Sequence, residues 1–191
     1  MRTTVGYTGG TTVDPDYRHI GDHSEAIRID FDPNRISYAQ LLDVFWESHD
    51  PTFQNWSRQY RNVIFPLTKE QESLAGNSRR QLAARSGRSV VSEIEPAGPF
   101  YPAEDYHQKY LLRKADTLFA ELQRHYPDER ELITSTAAAR LNGYLGCNGD
   151  AEILQGEIGA LGLSSPLQKR LIEYVSAGCS GFSGLTCPAP E

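Results

Sequence analysis

Two cysteines, Cys179 and Cys187, stand eight positions apart in AGCSGFSGLTCPAPE, the stretch from Ala177 to Glu191. Gly178, Gly181 and Gly184 recur around them at every third position, and glycine gives the backbone more freedom than any other residue. A disulfide that merely fastens a core gains little from such a segment. A thiol that must travel to another thiol gains much, because exchange runs by thiolate attack through a mixed disulfide and depends on access. The competing reading is a loose terminus carrying two incidental cysteines. The third cysteine, Cys147 in LGCNGD, is either a relay thiol or a small buried hydrophobe.

Oxygen chemistry has candidates in the first third of the chain. In DYRHIGDHSEAIR (16–28) a loop rich in Gly and Asp runs into a strand that Glu25 enters. Burial would raise the Glu25 carboxyl pKa and hold its proton near neutral pH, the requirement for a general acid; the alternative is a solvated charge at a strand end. Tyr17 is a hydrogen-bond donor to a bound oxygen or a packing residue. Asn55, Trp56 and Tyr60 in QNWSRQYR (54–61) line a pocket or fill a packed loop. Glu104, Asp105 and His107 suit the first turn of a helix, where acids meet the helix dipole. His19, His23 and Glu25 make a poor ligand set and no C-x-x-C spacing occurs, so neither a metal nor a cofactor is expected.

These residues need elements to hold them. TTVGY (3–7) reads as a strand end and EAIRIDFD (25–32) as a half-buried strand by its alternation. Ser37 caps a helix running to about Ser48, and TKEQ (68–71) has the capping-box form and opens a helix to about Arg85. YRNVIFP and SVVSEI (89–94) are short strands, EPAGPFYP is a turn-rich crossing, and residues 103–126 read as one long amphipathic helix. From about Pro127 short helical stretches follow, with Ser165 as an N-cap before Pro166. Strands and helices are mixed, so the fold class is α+β. The expected division is a body over 1–126, a helical insertion over 127–176 and the tail 177–191. The net charge of −6, with Lys and Arg dispersed, gives no basic stripe for nucleic acid. No apolar run approaches the roughly 18 residues of a membrane span. Three cysteines do not make a secreted disulfide scaffold, so a cytoplasmic protein is expected.

Taken together, VGYTGGTT, DPDYRHIGDHSEAIRIDFDPNRISYAQLLDVFWESHDPT, QYRNVIFPLTKEQ and FYPAEDYHQKYL resemble the central block of the peptide methionine sulfoxide reductase A family, and the Cys-x7-Cys tail resembles its recycling cysteines. The similarity covers residues 2 to about 112 and 177–191; about 113–176 is extra relative to the short bacterial form. The resemblance implies a two-layer sandwich with a mixed, ferredoxin-like sheet, and a monomer. It implies reduction of the S epimer of methionine sulfoxide, free or in proteins. A cysteine attacks the sulfoxide sulfur, the oxygen is protonated, methionine leaves, and the resulting sulfenic acid condenses with a second cysteine. A third cysteine and then thioredoxin reduce that disulfide. In this comparison Glu25 matches the proton donor, Tyr17 and Tyr60 match hydrogen-bonders to the sulfoxide oxygen, and Cys179 and Cys187 match the resolving and recycling thiols.

Two departures stand out. Asn55 occupies the place of an aspartate five positions before the QYR tyrosine, so a donor replaces a charged acceptor there. The family's nucleophile lies in Gly-Cys-Phe-Trp-Gly, which occurs nowhere in the 191 residues. The expectation is a chain lacking its front through a late start codon or a truncated transcript; the rival is an inactive member that binds a methionine or sulfoxide peptide or a partner. In-frame DNA upstream of Met1 is therefore expected to encode Gly-Cys-Phe-Trp-Gly, and a stop codon close upstream without that motif would refute it. The 191-residue chain, assayed with dithiothreitol or thioredoxin, is expected to reduce no sulfoxide; measurable turnover would mean that another cysteine attacks.

Overall fold

The structure is a computed structural model and describes residues 1–179. Cys187 lies outside the described residues. The chain forms two compact units: one from Val5 to Glu104, the other from Met1–Thr4 together with the chain from Asp105 on. Strands and helices are mixed, so the α+β class holds.

β1 (Arg2–Thr8), which belongs to the Val5–Glu104 unit from Val5 on, lies between β2 (Ser24–Asp30) and a short strand at Tyr101–Pro102. That last strand was expected to be only a crossing. It pairs antiparallel with β1, Tyr101 opposite Tyr7 and Pro102 opposite Gly6. Pro102 is tolerated because this is an edge strand, where a missing N–H breaks no ladder. A second sheet pairs β3 (Val63–Ile64) in parallel with β4 (Glu93–Ile94), and Tyr101–Pro102 is β5. Helix α1 (Tyr38–Glu47) opens on a full capping box: Ser37 Oγ accepts from the Gln40 N–H and Gln40 Oε1 accepts from the Ser37 N–H. Helix α2 (Lys69–Ser86) is capped by Thr68 and stopped by Gly87 at φ 64°, the left-handed turn glycine adopts without penalty. Their apolar faces meet, with Leu42, Trp46, Ile64 and Ala75 as the buried cluster.

The other unit is helical: α3 (Tyr110–Lys114), α4 (Asp116–His125), α5 (Glu129–Thr134), α6 (Thr136–Leu145), α7 (Ala151–Glu157) and α8 (Ser165–Ser176). Leu112, Leu118, Leu122, Leu132, Leu141, Leu154 and Leu171 are its fully buried core. The single helix expected over 103–126 is broken in two places. Lys109 is left-handed (φ 52°) and Ala115 leaves helical geometry. Asn142 explains the first break, because its Oδ1 accepts from both Leu111 and Leu112 N–H, at 3.0 and 3.2 Å. That supplies a helix start where the sequence pattern runs on. Ser135 ends α5 and caps α6 at once, its Oγ accepting from the Ala138 N–H. The cap of α8 is Ser164, one residue before the position expected. Glu121 holds it, accepting from the Ser164 N–H and Oγ at 2.5 and 3.0 Å.

Lys109 is buried in this unit and its Nζ donates to the Thr3 carbonyl at 2.6 Å. Burial, with the Arg113 charge second, lowers its ammonium to about 8. In the unfolded chain a lysine keeps its proton to about pH 10.4. Between the two values the folded state binds fewer protons, so stability rises with pH across that window. In urea unfolding followed by circular dichroism, the stability of the wild type relative to Lys109→Met should increase from about pH 8 to about pH 10. A constant difference would contradict this.

Candidate functional site

The loop after β1 fixes where the site begins. Gly9 turns at φ 79°, and a Cβ on Gly10 would stand 2.6 Å from the His23 nitrogen. The chain can therefore fold back on itself only with glycine there. The Gly10 N–H donates to His23 Nδ1 at 3.1 Å, and His23 Nε2 bonds the Thr12 carbonyl at 2.8 Å. Both ring nitrogens of this buried histidine are spent on backbone, so its role is structural. The set His19, His23 and Glu25 is not a ligand cluster, and no metal-binding group of three occurs among the described residues. Asp22 accepts from the N–H and hydroxyl groups of Thr11 and Thr12, and the backbone bonds from Thr11 and Thr12 hold its carboxyl far below the usual range.

Past this loop the fold brings Tyr17, Glu25 and Tyr60 together. Tyr60 is hydrogen-bonded to the Tyr17 side chain, and that bond, partial burial and the neighbouring Glu25 charge push its phenol up to about 12. Both tyrosines remain accessible, at 41% and 49% exposure. Glu25 is also exposed, and its Oε1 accepts from Gln59 Nε2 at 2.7 Å. Of the two readings of Glu25, a buried acid or a solvated charge at a strand end, the structure shows the solvated one: it sits on β2, beside β1, with Gln59 as its hydrogen-bond donor. The cluster is two phenol donors and a carboxyl open to solvent, a set suited to gripping and protonating an oxygen atom.

Its supports were not evident in the sequence. Glu104, expected at a helix start, instead reaches back: it accepts from the Tyr7 hydroxyl at 2.8 Å and from the Tyr17 N–H at 3.0 Å. Arg61, next to Tyr60, has a side chain only 3% exposed. It donates to Glu95 at 2.6 and 2.7 Å, to Glu93, and through Nε to Ser24 Oγ at 2.8 Å. Ser24 Oγ in turn donates to the Arg58 carbonyl at 2.8 Å. So the residue before Glu25 and the residue after Tyr60 are bonded directly. The pair Arg58 and Arg61 in SRQYR was the available signal. Asn55 accepts from the Ser57 N–H at 2.9 Å, a local turn bond. Trp56 is 95% exposed; it is presented to solvent and lines no closed pocket in this unit.

The helical unit holds Cys147 and Cys179. Cys147 is exposed, and it is disulfide-bonded to Cys179 with Cα atoms 6.0 Å apart. This replaces the reading of Cys147 as a buried hydrophobe. Each cysteine ends a helix in the Schellman pattern. At α8 the Cys179 N–H bonds the Tyr174 carbonyl and the Gly178 N–H bonds Val175, with Gly178 at φ 62°. At α6 the Asn148 N–H bonds the Gly143 carbonyl and the Cys147 N–H bonds Tyr144, with Cys147 itself at φ 60°. That left-handed position favours glycine, and a side chain there costs about 1 kcal/mol or more. Closing the 32-residue loop contributes about 3–4 kcal/mol by chain entropy.

Comparison with known proteins adds to this geometry. The family model described as peptide methionine sulfoxide reductase matches residues 1–138. Peptide methionine sulfoxide reductase A5 of Oryza sativa subsp. japonica is 44% identical over 150 residues, 75% of this chain and 58% of its own length. Peptide methionine sulfoxide reductase of Drosophila melanogaster is 39% identical over 176 residues, 91% of this chain and 70% of its own. Peptide methionine sulfoxide reductase MsrA of Deinococcus radiodurans is 49% identical over 121 residues, 58% of this chain and 59% of its own. The chain thus spans less than two thirds of the rice and bacterial relatives. The fly match covers so much of the chain that it includes most of 113–176. The crystal structure of Mxr1 from Saccharomyces cerevisiae in reduced form superposes with a TM-score of 0.54 at 27% identity, covering 58% of this chain and 70% of that one.

The Tyr17 bond is the largest cause of the raised Tyr60 phenol. Tyr17→Phe should therefore bring the Tyr60 titration down toward the ordinary tyrosine value of about 10, read by NMR of Cζ-labelled tyrosines. An unchanged Tyr60 titration would mean that the two hydroxyls do not meet.

Proposed function

The chain belongs to the peptide methionine sulfoxide reductase family, and from that membership and the Tyr17–Glu25–Tyr60 cluster we propose that it carries the oxygen-handling half of peptide-methionine (S)-S-oxide reduction. The substrate is methionine sulfoxide, free or in a protein. Its oxygen takes hydrogen bonds from the Tyr17 and Tyr60 hydroxyls. A raised phenol pKa keeps Tyr60 a donor across the neutral range. Glu25 supplies the proton as the S–O bond weakens. A thiolate attacks the sulfur and forms a transient S–S bond. The protonated oxygen then passes to the cysteine sulfur as that bond and the old S–O bond break. Methionine departs reduced by two electrons and the cysteine is left as a sulfenic acid, oxidised by two. No cysteine lies between Val5 and Glu104, so the attacking thiol comes from outside this unit.

Cys179 and Cys187 act as resolving and recycling thiols, with thioredoxin as reductant. Asn55 and Trp56 border the substrate, the exposed Trp56 offering an apolar face to the methionine chain. The layers form a two-layer sandwich with a ferredoxin-like sheet, and the protein works as a cytoplasmic monomer without nucleic acid. No described helix is long and apolar enough to cross a membrane. An inactive binding protein would need neither the two hydrogen-bonded phenols nor the neighbouring carboxyl, and all three are present.

The test is an open reading frame extended to include Gly-Cys-Phe-Trp-Gly, assayed on the separate sulfoxide epimers with dithiothreitol. Reduction of the S epimer is expected, with Glu25→Gln lowering kcat by about 10²–10⁴-fold, the usual worth of a general acid. Full activity in Glu25→Gln would remove the carboxyl from the mechanism.

A further inference from the structure

We infer that Cys147 is an exchange thiol: it holds Cys179 in a disulfide that an external dithiol opens by attacking the Cys147 sulfur. The link from Cys179 to sulfoxide chemistry rests on the function proposed above; the exchange itself rests on the helical unit alone.

Three observations carry it. First, Cys147 occupies the left-handed position that closes α6, where its backbone bonds are those glycine would make at no cost. Nothing in the helix end calls for a side chain there, so the sulfur is what the residue contributes. Second, the bond is asymmetric: Cys147 is exposed and Cys179 half-buried. Exchange goes to the accessible sulfur. Third, Tyr174 stands over the exposed side, its hydroxyl 3.7 Å from Cys147 Sγ and 3.2 Å from the Leu145 carbonyl it donates to.

The reaction balances as follows. A thiolate of the incoming dithiol bonds to Cys147 Sγ, the Cys147–Cys179 bond breaks, and Cys179 leaves as a thiolate that takes a proton. The second thiol of the reductant then attacks its own mixed sulfur, and Cys147 leaves as a thiolate beside the Tyr174 hydroxyl. The dithiol ends oxidised to a disulfide and the protein gains two electrons and two protons. Both cysteines sit at helix C-termini, where the dipole opposes negative charge. Each leaving thiolate is therefore disfavoured, and a monothiol is readily expelled again. A dithiol completes the second step intramolecularly, which is why the partner is a dithiol protein of thioredoxin type and not glutathione.

The full chain, mildly oxidised, is treated in native buffer with reduced glutathione or with dithiothreitol at equal thiol concentration, and free thiols are counted by alkylation and mass spectrometry. Dithiothreitol is expected to open the bond on the order of a hundredfold more than glutathione. A thioredoxin whose second cysteine is changed to serine should trap a mixed disulfide, mapped by peptide mass to Cys147; Cys187→Ser should trap the same adduct. Three results would overturn the inference: no Cys147–Cys179 bond after mild oxidation, a bond that opens only in denaturant, or an adduct on Cys179. Sulfoxide binding is measured on the same sample. An adduct on Cys147 without sulfoxide binding would defeat the proposed function and leave this inference standing.

Discussion

A buried guanidinium organises the Val5–Glu104 unit. Arg61 gives up hydration to sit almost fully covered, and Glu93, Glu95 and Ser24 replace that water. A charge so placed tolerates no missing partner, because an uncompensated buried charge costs about 3–5 kcal/mol. The network ties β4 and the segment after it to β2. Its directional bonds fix Ser24 and Arg61 against each other. Glu25 and Tyr60 are the adjacent residues in sequence, so the carboxyl and the phenol inherit their separation from this ion pair. Glu104 does the same for Tyr17 by holding its backbone N–H. The chemistry-bearing side chains can then stay exposed and still be placed.

The helical unit solves a different problem. Its leucine core needs no disulfide to close over it, yet a staple joins the ends of α6 and α8. Glu121, Ser135 and Asp128 already cap the helices that lead there. Stability from the staple is real, but it is stability that a change of redox state removes. A cysteine in a glycine position is the local inconsistency one expects at a functional site rather than at a structural one.

The periodic and capped elements were legible in the sequence. Strands β1 and β2 and helices α1 and α2 follow from the strand patterns, the capping box at Ser37 and the Thr68 side-chain cap. At Thr68 the box itself does not close, because the Gln71 side chain accepts from the Leu67 N–H instead. Glu25, Tyr17 and Tyr60 were legible as residue types in a resembling block, and the fold sets them together. What failed did so for tertiary reasons. Asn142 breaks the helix expected over 103–126 from 30 residues away, and no local pattern carries that. β5 hides because Pro102 reads as a turn until β1 supplies its partner. Whether Glu25 is buried or solvated was left open by its strand pattern; among the described residues β2 has only β1 beside it, and the carboxyl is exposed. The Cys147–Cys179 bond spans 32 positions, and spacing alone does not choose among three cysteines.

The central claim is that Tyr17, Glu25 and Tyr60 act together on one sulfoxide oxygen. Titrating the full chain with the separate S and R epimers of methionine sulfoxide, while following the Glu25 carboxyl and the Tyr17 and Tyr60 Cζ resonances by NMR, tests it directly. The account predicts that all three resonances move with a common affinity for the S epimer and not for the R epimer. Shifts that leave these residues untouched, or that follow both epimers equally, would contradict it.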